Sequence, residues 1–462
     1  MEPLDGRRPP RRRGRKIFAA LLVAVGLLAT LRIGGEPSAE LTSDLPGIGP
    51  ETRIVASAFE PVRGLERWTL ELIQGEQVTR LAGRELETRP AWKFWGPLTA
   101  EDGAEVTVGH RVTQGLTAGE ARIRLSAWRA GTWLRSPGPV VRELVLPVRL
   151  TPPQLGVLSS QHYPTQGGSE AVVYRVGETA IRHGVEAGGA FFPGYPLPGG
   201  LVGERFALFA VPFDLPAGTQ IRLVAEDDVG NRAQAGFVDR LKPRELRSDR
   251  INVSDTFIGR VAPEIEAQTP GLEASGSLAD RYVAINSGLR VDNRGEIAAL
   301  ADATLQEFLW KGAFEPLANG QVMARFADHR TYLYDGSKLD AQVHLGYDLA
   351  SVKHAPVPAA NAGVVVMAQY LGIYGNVVVL DHGFGLMTLY GHLSSFEVSL
   401  GARVTRGQTL GRTGVTGLAG GDHLHFGVFL HGTATDPVEW LDASWIQNRL
   451  ARKLGFGEEA AE

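Results

Sequence analysis

From about residue 52 to 240 the chain is written in short runs, apolar or alternating with polar residues, each closed by Gly, Pro or Asp. AEVTVGHRVTQGLTAGEARIRLSAW and GERFALFAVPFDLPAGTQIRLVAEDDVGN are examples. Period-two alternation sends successive side chains to opposite faces of a strand, and punctuation at this spacing leaves no room for long helices. Composition agrees: 57 glycines and 27 prolines in 462 residues, with 44% hydrophobic and 21% charged, suit a globular protein of short strands and many turns. The fold class expected is mainly β, with length for about two to four domains.

Within this region AGEARIRLSA and AGTQIRLVA align with one gap, and their isoleucines, Ile123 and Ile221, lie 98 positions apart. That period fits two tandem immunoglobulin-like β-sandwiches, placed at 52–150 and 151–240. His110, His162 and His183 are scattered through them and read as surface or packed residues, not ligands. The texture changes over 241–319, where Ser254 stands as an N-cap and Ile297, Leu300, Ala301, Leu305, Phe308 and Leu309 keep helical spacing. This is expected to be a short helical connector.

At the N-terminus, RRPPRRRGRK carries seven positive charges and precedes IFAALLVAVGLLATL, a fifteen-residue apolar run from Ile17 to Leu31. A basic segment before an apolar one is a secretory address. Fifteen residues is short of the ~20 that span a bilayer, although Arg32 could snorkel and Ile33 extend the run. No small-x-small cleavage site follows Leu31, so residues 1–33 are read as an N-terminal transmembrane helix in the cytoplasmic membrane before a cleaved signal helix. The positive-inside rule then places everything from about residue 34 outside the cytoplasm, in the periplasmic cell envelope, with 34–51 as a linker. Formal charge is -4, and beyond the first sixteen residues 40 basic face 49 acidic residues, a balance of -9 that argues against a nucleic-acid partner.

The chain has no cysteine, so a metal would be held by histidine and carboxylate. Seven of the 11 histidines lie between His344 and His431. VHLGYDLA holds His344 and Asp348 four apart, on one face if the segment is extended, and GDHLHFGV puts His423 and His425 on one strand face with Leu424 and Phe426 on the other. LYGHLSS adds His392 after a strand-like run. Such groups converging on one ion suit zinc, with a fourth position left for water.

HLGYD, APVPAANAGVVV, GIYGNVVVLDHGFGLMTLYGHLS, GARVTRGQTLGRTGVTG and DHLHFG occur in this order. Together they resemble the lysostaphin-type, LytM-like zinc metallopeptidases that cut peptide bonds in peptidoglycan. The resemblance covers about residues 320–442, a little over a quarter of the chain, and leaves 443–462 as a tail. It implies an antiparallel β peptidase domain carrying one Zn2+, with His344, Asp348 and His425 as ligands. His423 and His392 would line the site, one as general base and the other steadying the oxyanion or leaving amine. There is no HExxH glutamate, so histidine is the available base.

Two positions depart from the family's pattern: Gly427 stands where a glutamate commonly follows HLHF, and Tyr347 replaces an aliphatic residue. YGN at 374–376 and GLAGG at 417–421 are expected to shape a groove. His382 is read as a structural turn residue, His354 and His431 as rim or surface. The rival readings are a catalytically silent scaffold that activates a separate amidase and a zinc peptidase acting on a protein. A biotinyl-type carrier hairpin is a third, but no lysine stands at its tip.

Overall fold

A computed structural model of the chain describes residues 12–32, 35–90, 93, 96–132, 136–272 and 274–456. The fold is mainly β, in two compact units: Met1–Pro152 with Asp227–Asn231, and Pro153–Glu226 with Arg232–Glu462.

In the first unit a helix, Arg12–Arg32, forms over the expected apolar run. The spanning helix is not borne out: among the described residues no helix is long and apolar enough to cross a membrane. The apolar run is fifteen residues, short of the ~20 a bilayer asks for, and Arg and Lys occupy the rest of the helix.

Two antiparallel sheets follow, one ordered Ser38–Ser43, Thr52–Phe59, Glu101–Val108 and the other Gln77–Glu85, Leu65–Gln74, Gly119–Arg129, Val140–Val148. Alternation builds the layer between them. In Thr52–Phe59 the side chains of Ile54, Ala56 and Ala58 are buried while Arg53, Val55 and Phe59 are exposed. The inward residues meet Trp68, Leu70, Ile123 and Leu125 in a core of this unit's own. The segment expected as linker, 34–51, supplies the edge strand Ser38–Ser43, because Ala39 and Leu41 alternate toward the same layer.

The second unit begins with two more four-stranded sheets. One is ordered Tyr195–Pro196, Glu204–Ala210, Ser169–Val176, Leu155–Val157, the other Ala190–Pro193, Ala180–Ala187, Arg222–Asp227, Arg232–Gly236. The strand carrying Ile123 and the strand just after Ile221 are each an interior strand of a four-stranded sheet. These sheets do not close a core alone. Tyr195 meets Phe384 at a centroid distance of 4.9 Å, Phe384 meets Phe308 at 4.5 Å, and Trp310 meets Trp440 at 5.7 Å, so sandwich, connector and C-terminal sheet share one aromatic core.

The connector contains Asp255–Gln268, capped by the Ser254 hydroxyl accepting from Phe257 N. A second helix follows, Leu278–Val283, widening to a π turn over Ala284–Leu289 and resuming as Arg290–Ala299. The helix covers only the first half of the expected stripe: Ile297 lies within it, and Leu300 and Ala301 lie in the tight turn that closes it, Leu300–Ala303. Beyond it, Thr304 Oγ1 and Leu305 N donate to the Asp381 carboxylate at 2.9 and 2.8 Å, and Leu309 N donates to His382 O at 3.1 Å. Leu305 and Leu309 are therefore held outside the helix by bonds to the C-terminal sheet and the turn that follows it.

That sheet runs Gln321–Ala324, Tyr347–Ala350, Leu424–Leu430, Leu386–Leu393, Asn376–Asp381, Gly363–Tyr370, Arg403–Val404, with Thr433–Thr435 also paired to Leu424–Leu430; every pairing is antiparallel. Its central strands are buried on both faces, so LMTLYGHL and LHFGVFL read as continuous apolar runs with little alternation. A small sheet lies beside it, in which Ser248–Asn252 pairs parallel to His329–Tyr334 and Ser337–Val343 antiparallel.

Candidate active site

Three neighbouring strands bring the site together. Asp348 on Tyr347–Ala350 stands directly opposite His425 on Leu424–Leu430, and His425 stands opposite Gly391 on the far side, which brings His392 alongside. His344 arrives differently from the extended HxxxD expected: it sits in the break between Ser337–Val343 and Tyr347–Ala350. Its main chain is pinned by His344 N donating to Asp328 O at 3.0 Å and Ala327 N donating to His344 O at 2.7 Å. Gly346 makes room within that break, since a Cβ there would lie 2.7 Å from the His425 ring.

His344 Nε2, Asp348 Oδ1 and His425 Nδ1 lie 3.0 Å from one another in all three pairings. His344 Nδ1 donates to Arg325 O at 3.0 Å, which turns the Nε2 lone pair inward. Burial pushes the Asp348 carboxyl up, but the charge of His344 and hydrogen bonds from His344, His423 and His425 outweigh it and hold the group well below the usual carboxylate range. Burial lowers His425 to about 4, so it is a neutral donor. Two ring nitrogens and one carboxylate, aimed at one point with both rings buried, form a donor set that fits a divalent cation such as zinc.

His423 Nδ1 donates to Gly421 O at 2.8 Å and its Nε2 lies 3.5 Å from Asp348 Oδ1. His392 Nδ1 donates to Thr416 O at 2.9 Å, and the two rings are 4.7 Å apart. Both are thus held by a backbone acceptor with Nε2 left toward the site. Burial and the neighbouring histidines keep His392 well below 6.5, whereas Asp348, outweighing burial, raises His423. His392 also holds φ +62, a left-handed conformation that a non-glycine residue adopts only where its surroundings enforce it.

A cavity of about 570 Å³ opens over these groups, walled on one side by the connector residues Phe257, Tyr282 and Arg290. The sequence reading missed Arg330, whose Nη2 donates to Asp348 Oδ2 at 2.8 Å, leaving Oδ1 to the histidines. No sequence signal marks it: one arginine in the strand His329–Tyr334 has no spacing relation to the motifs. His431, expected at a rim, is instead largely buried, stacked on Tyr195 at 6.0 Å over Gly385, where any Cβ would clash with its ring. His382 is structural, fully buried between Ala362 O and Thr388 Oγ1, each at 2.7 Å. At Gly427 a Cβ would meet the Phe429 ring at 2.9 Å, so core packing occupies the place of the glutamate.

The model of Peptidase family M23 matches residues 342–437, the span that carries all five histidine and aspartate positions of the site. The C-terminal segment belongs to peptidase family M23. The chain is 38% identical over 130 residues to the DD-carboxypeptidase/endopeptidase Mpg of Neisseria meningitidis serogroup B, covering 28% of this chain and 29% of that one. It is 43% identical over 96 residues to the peptidoglycan DD-endopeptidase ShyA of Vibrio cholerae, covering 21% and 22%. It is also 38% identical over 96 residues to the murein hydrolase activator EnvC of Escherichia coli, covering 21% and 23%. The chain thus spans less than a third of the length of each of these curated relatives.

Proposed function

We propose that this chain is a zinc-dependent metalloendopeptidase that hydrolyses peptide bonds in the stem peptides or cross-links of peptidoglycan, in the cell envelope outside the cytoplasm. The observation that carries the reading is the set of three donor atoms, His344 Nε2, Asp348 Oδ1 and His425 Nδ1, mutually 3.0 Å apart beneath an open cavity. A zinc bound there supplies Lewis-acid polarisation of a carbonyl and acidifies water. The residues around it supply the rest. His392 and His423 each present Nε2 with Nδ1 already committed to a carbonyl, so either ring can take a proton from water and pass it to a leaving amine. An open groove, about half of it walled by apolar side chains, suits an extended peptide.

The name of ShyA, a peptidoglycan DD-endopeptidase, supports the peptidoglycan substrate, and the basic N-terminal run supports export. Residues 241–319 are proposed as the connector and 320–442 as the peptidase domain. The two sandwiches are proposed to be immunoglobulin-like on their strand order. The likeness to EnvC favours a second reading, an activator of another hydrolase, but the complete donor set speaks for an enzyme.

Zinc content and release of soluble muropeptides from purified sacculi are the test, using residues 36–462 with His423→Ala and a chelated control. Zinc near one per chain, with release lost in both controls, is the expected result. Zinc without release would move the reading to a protein substrate, and neither zinc nor release to the silent activator.

A further inference from the structure

We infer that Arg290 sets substrate choice: its guanidinium receives a free carboxylate that the peptide carries close to the scissile bond. The inference rests on the peptidase reading of the same site. Arg290 belongs to the connector, not to the M23 segment, yet it lines the same cavity as His344, His392, His423 and His425. Its Nε and Nη2 donate to the main-chain O and the Oδ1 of Asn286, at 2.9 and 2.6 Å. A neutral amide aims it, and among the described residues no carboxylate lies within 4.0 Å to neutralise it.

Of the other charges around the cavity, all but Asp249 are already engaged. Arg330, the second arginine in the lining, is paired with Asp348. Asp422 accepts from Thr413 Oγ1 at 2.6 Å, and Asp340, which bonds the far side of Asn286, accepts from Asn286 Nδ2 at 2.7 Å and Ser287 Oγ at 2.9 Å. Asp249 reaches the lining without pairing to Arg290. Arg290 is therefore the cation left over, set against the apolar wall of Phe257 and Tyr282, where a charge-assisted fork to a carboxylate is stronger than in water.

Its placement also carries a local cost. The helix widens into a π turn over Ala284–Leu289 immediately before Arg290. Single π turns are rare and gather at functional sites because they re-aim the side chains that follow. Arg290 shares this cavity with Tyr374, whose ring centroid is 5.4 Å from that of His425.

The test uses the zinc-loaded full-length chain and two synthetic cross-linked stem peptides, identical except that the carboxyl group nearest the scissile bond is free in one and amidated in the other. The unsubstituted chain is expected to show a KM for the acid lower by about tenfold or more, the worth of one charge-assisted hydrogen-bonded pair. Arg290→Gln should bring the acid-to-amide ratio to about one, and Arg290→Lys should leave it between, since the ammonium keeps the charge and loses the fork. A ratio near one in the unsubstituted chain, or an unchanged ratio in Arg290→Gln, overturns the inference. Zinc content and the unfolding midpoint check that the variants fold, and Arg290→Lys carries the test if Arg290→Gln does not. Calorimetric binding of both peptides to His423→Ala, with and without Arg290→Gln, separates the two claims. Preference for the acid that depends on Arg290, without any cleavage by the unsubstituted chain, would sink the peptidase reading alone; cleavage without preference would sink only the role of Arg290.

Discussion

Asp348 is a shared residue, with one oxygen toward His344 and His425 and the other held by Arg330 at 2.8 Å. Partners of this kind orient a ligand, and losing one typically costs ten- to a hundredfold in metal affinity. Arg330→Gln is expected to weaken zinc by roughly that factor in a chelator-competition titration while leaving the unfolding midpoint near its original value. An unchanged zinc Kd would mean that strand pairing opposite His425 orients Asp348 unaided. Gly346 acts through space and not charge: Gly346→Ala puts a methyl group 2.7 Å from the His425 ring. Zinc per chain should fall in that variant, and full occupancy would show that the break between the two strands can yield.

Among the elements, the glycine-bearing turns around Thr416 position His392. Gly375 holds φ +62 and a Cβ there would lie 2.4 Å from Thr416, whose carbonyl accepts from His392 Nδ1. From the connector, Glu264 Oε1 accepts Gly417 N at 3.2 Å and Arg260 Nη2 donates to Ala419 O at 2.7 Å, so a helix outside the M23 segment secures the loop beside the site. Gly375→Ala is expected to cut turnover more than tenfold with zinc content intact, because it displaces a proton-handling ring and no ligand. Equal loss of zinc would contradict that division of labour. At the end of the strand Asn376–Asp381, burial holds His382 at about 4, and it does the same to His162 in the second sandwich. Unfolded, both take up a proton below about 6.5; folded, neither does until about 4, so stability is full above 6.5 and is lost as pH falls through that window. Denaturant midpoints measured from pH 4.5 to 7 should therefore rise with pH, and His382→Gln should make the rise shallower. A flat profile in the unsubstituted chain would refute it.

For the whole molecule, the two sandwiches differ in kind. The first has a core of its own, built on Ile54, Trp68, Leu70 and Ile123. The second shares its interior with the peptidase: Tyr195 packs on Phe384, Ser169 Oγ bonds Thr435 Oγ1 at 2.6 Å, and Lys453 Nζ from the tail reaches the buried Glu170 at 2.9 Å. A chain beginning at residue 153 should fold and bind zinc, whereas one beginning at 241 should expose one side of the aromatic core and aggregate. Soluble, zinc-loaded protein from the shorter chain would refute a shared core. The sequence by itself determined the strand texture, the N-cap at Ser254, the repeat around Ile123 and Ile221, and the histidine and aspartate positions, because each is a local pattern of period, capping or spacing. Only the tertiary structure decided that His344 turns inward from a break and that Arg330 and Arg290 face the cavity. It also decided where the connector helix stops and that three expected domains share one core. Those outcomes depend on strands and helices far apart in the chain meeting across a sheet, and no local period encodes which of them meet.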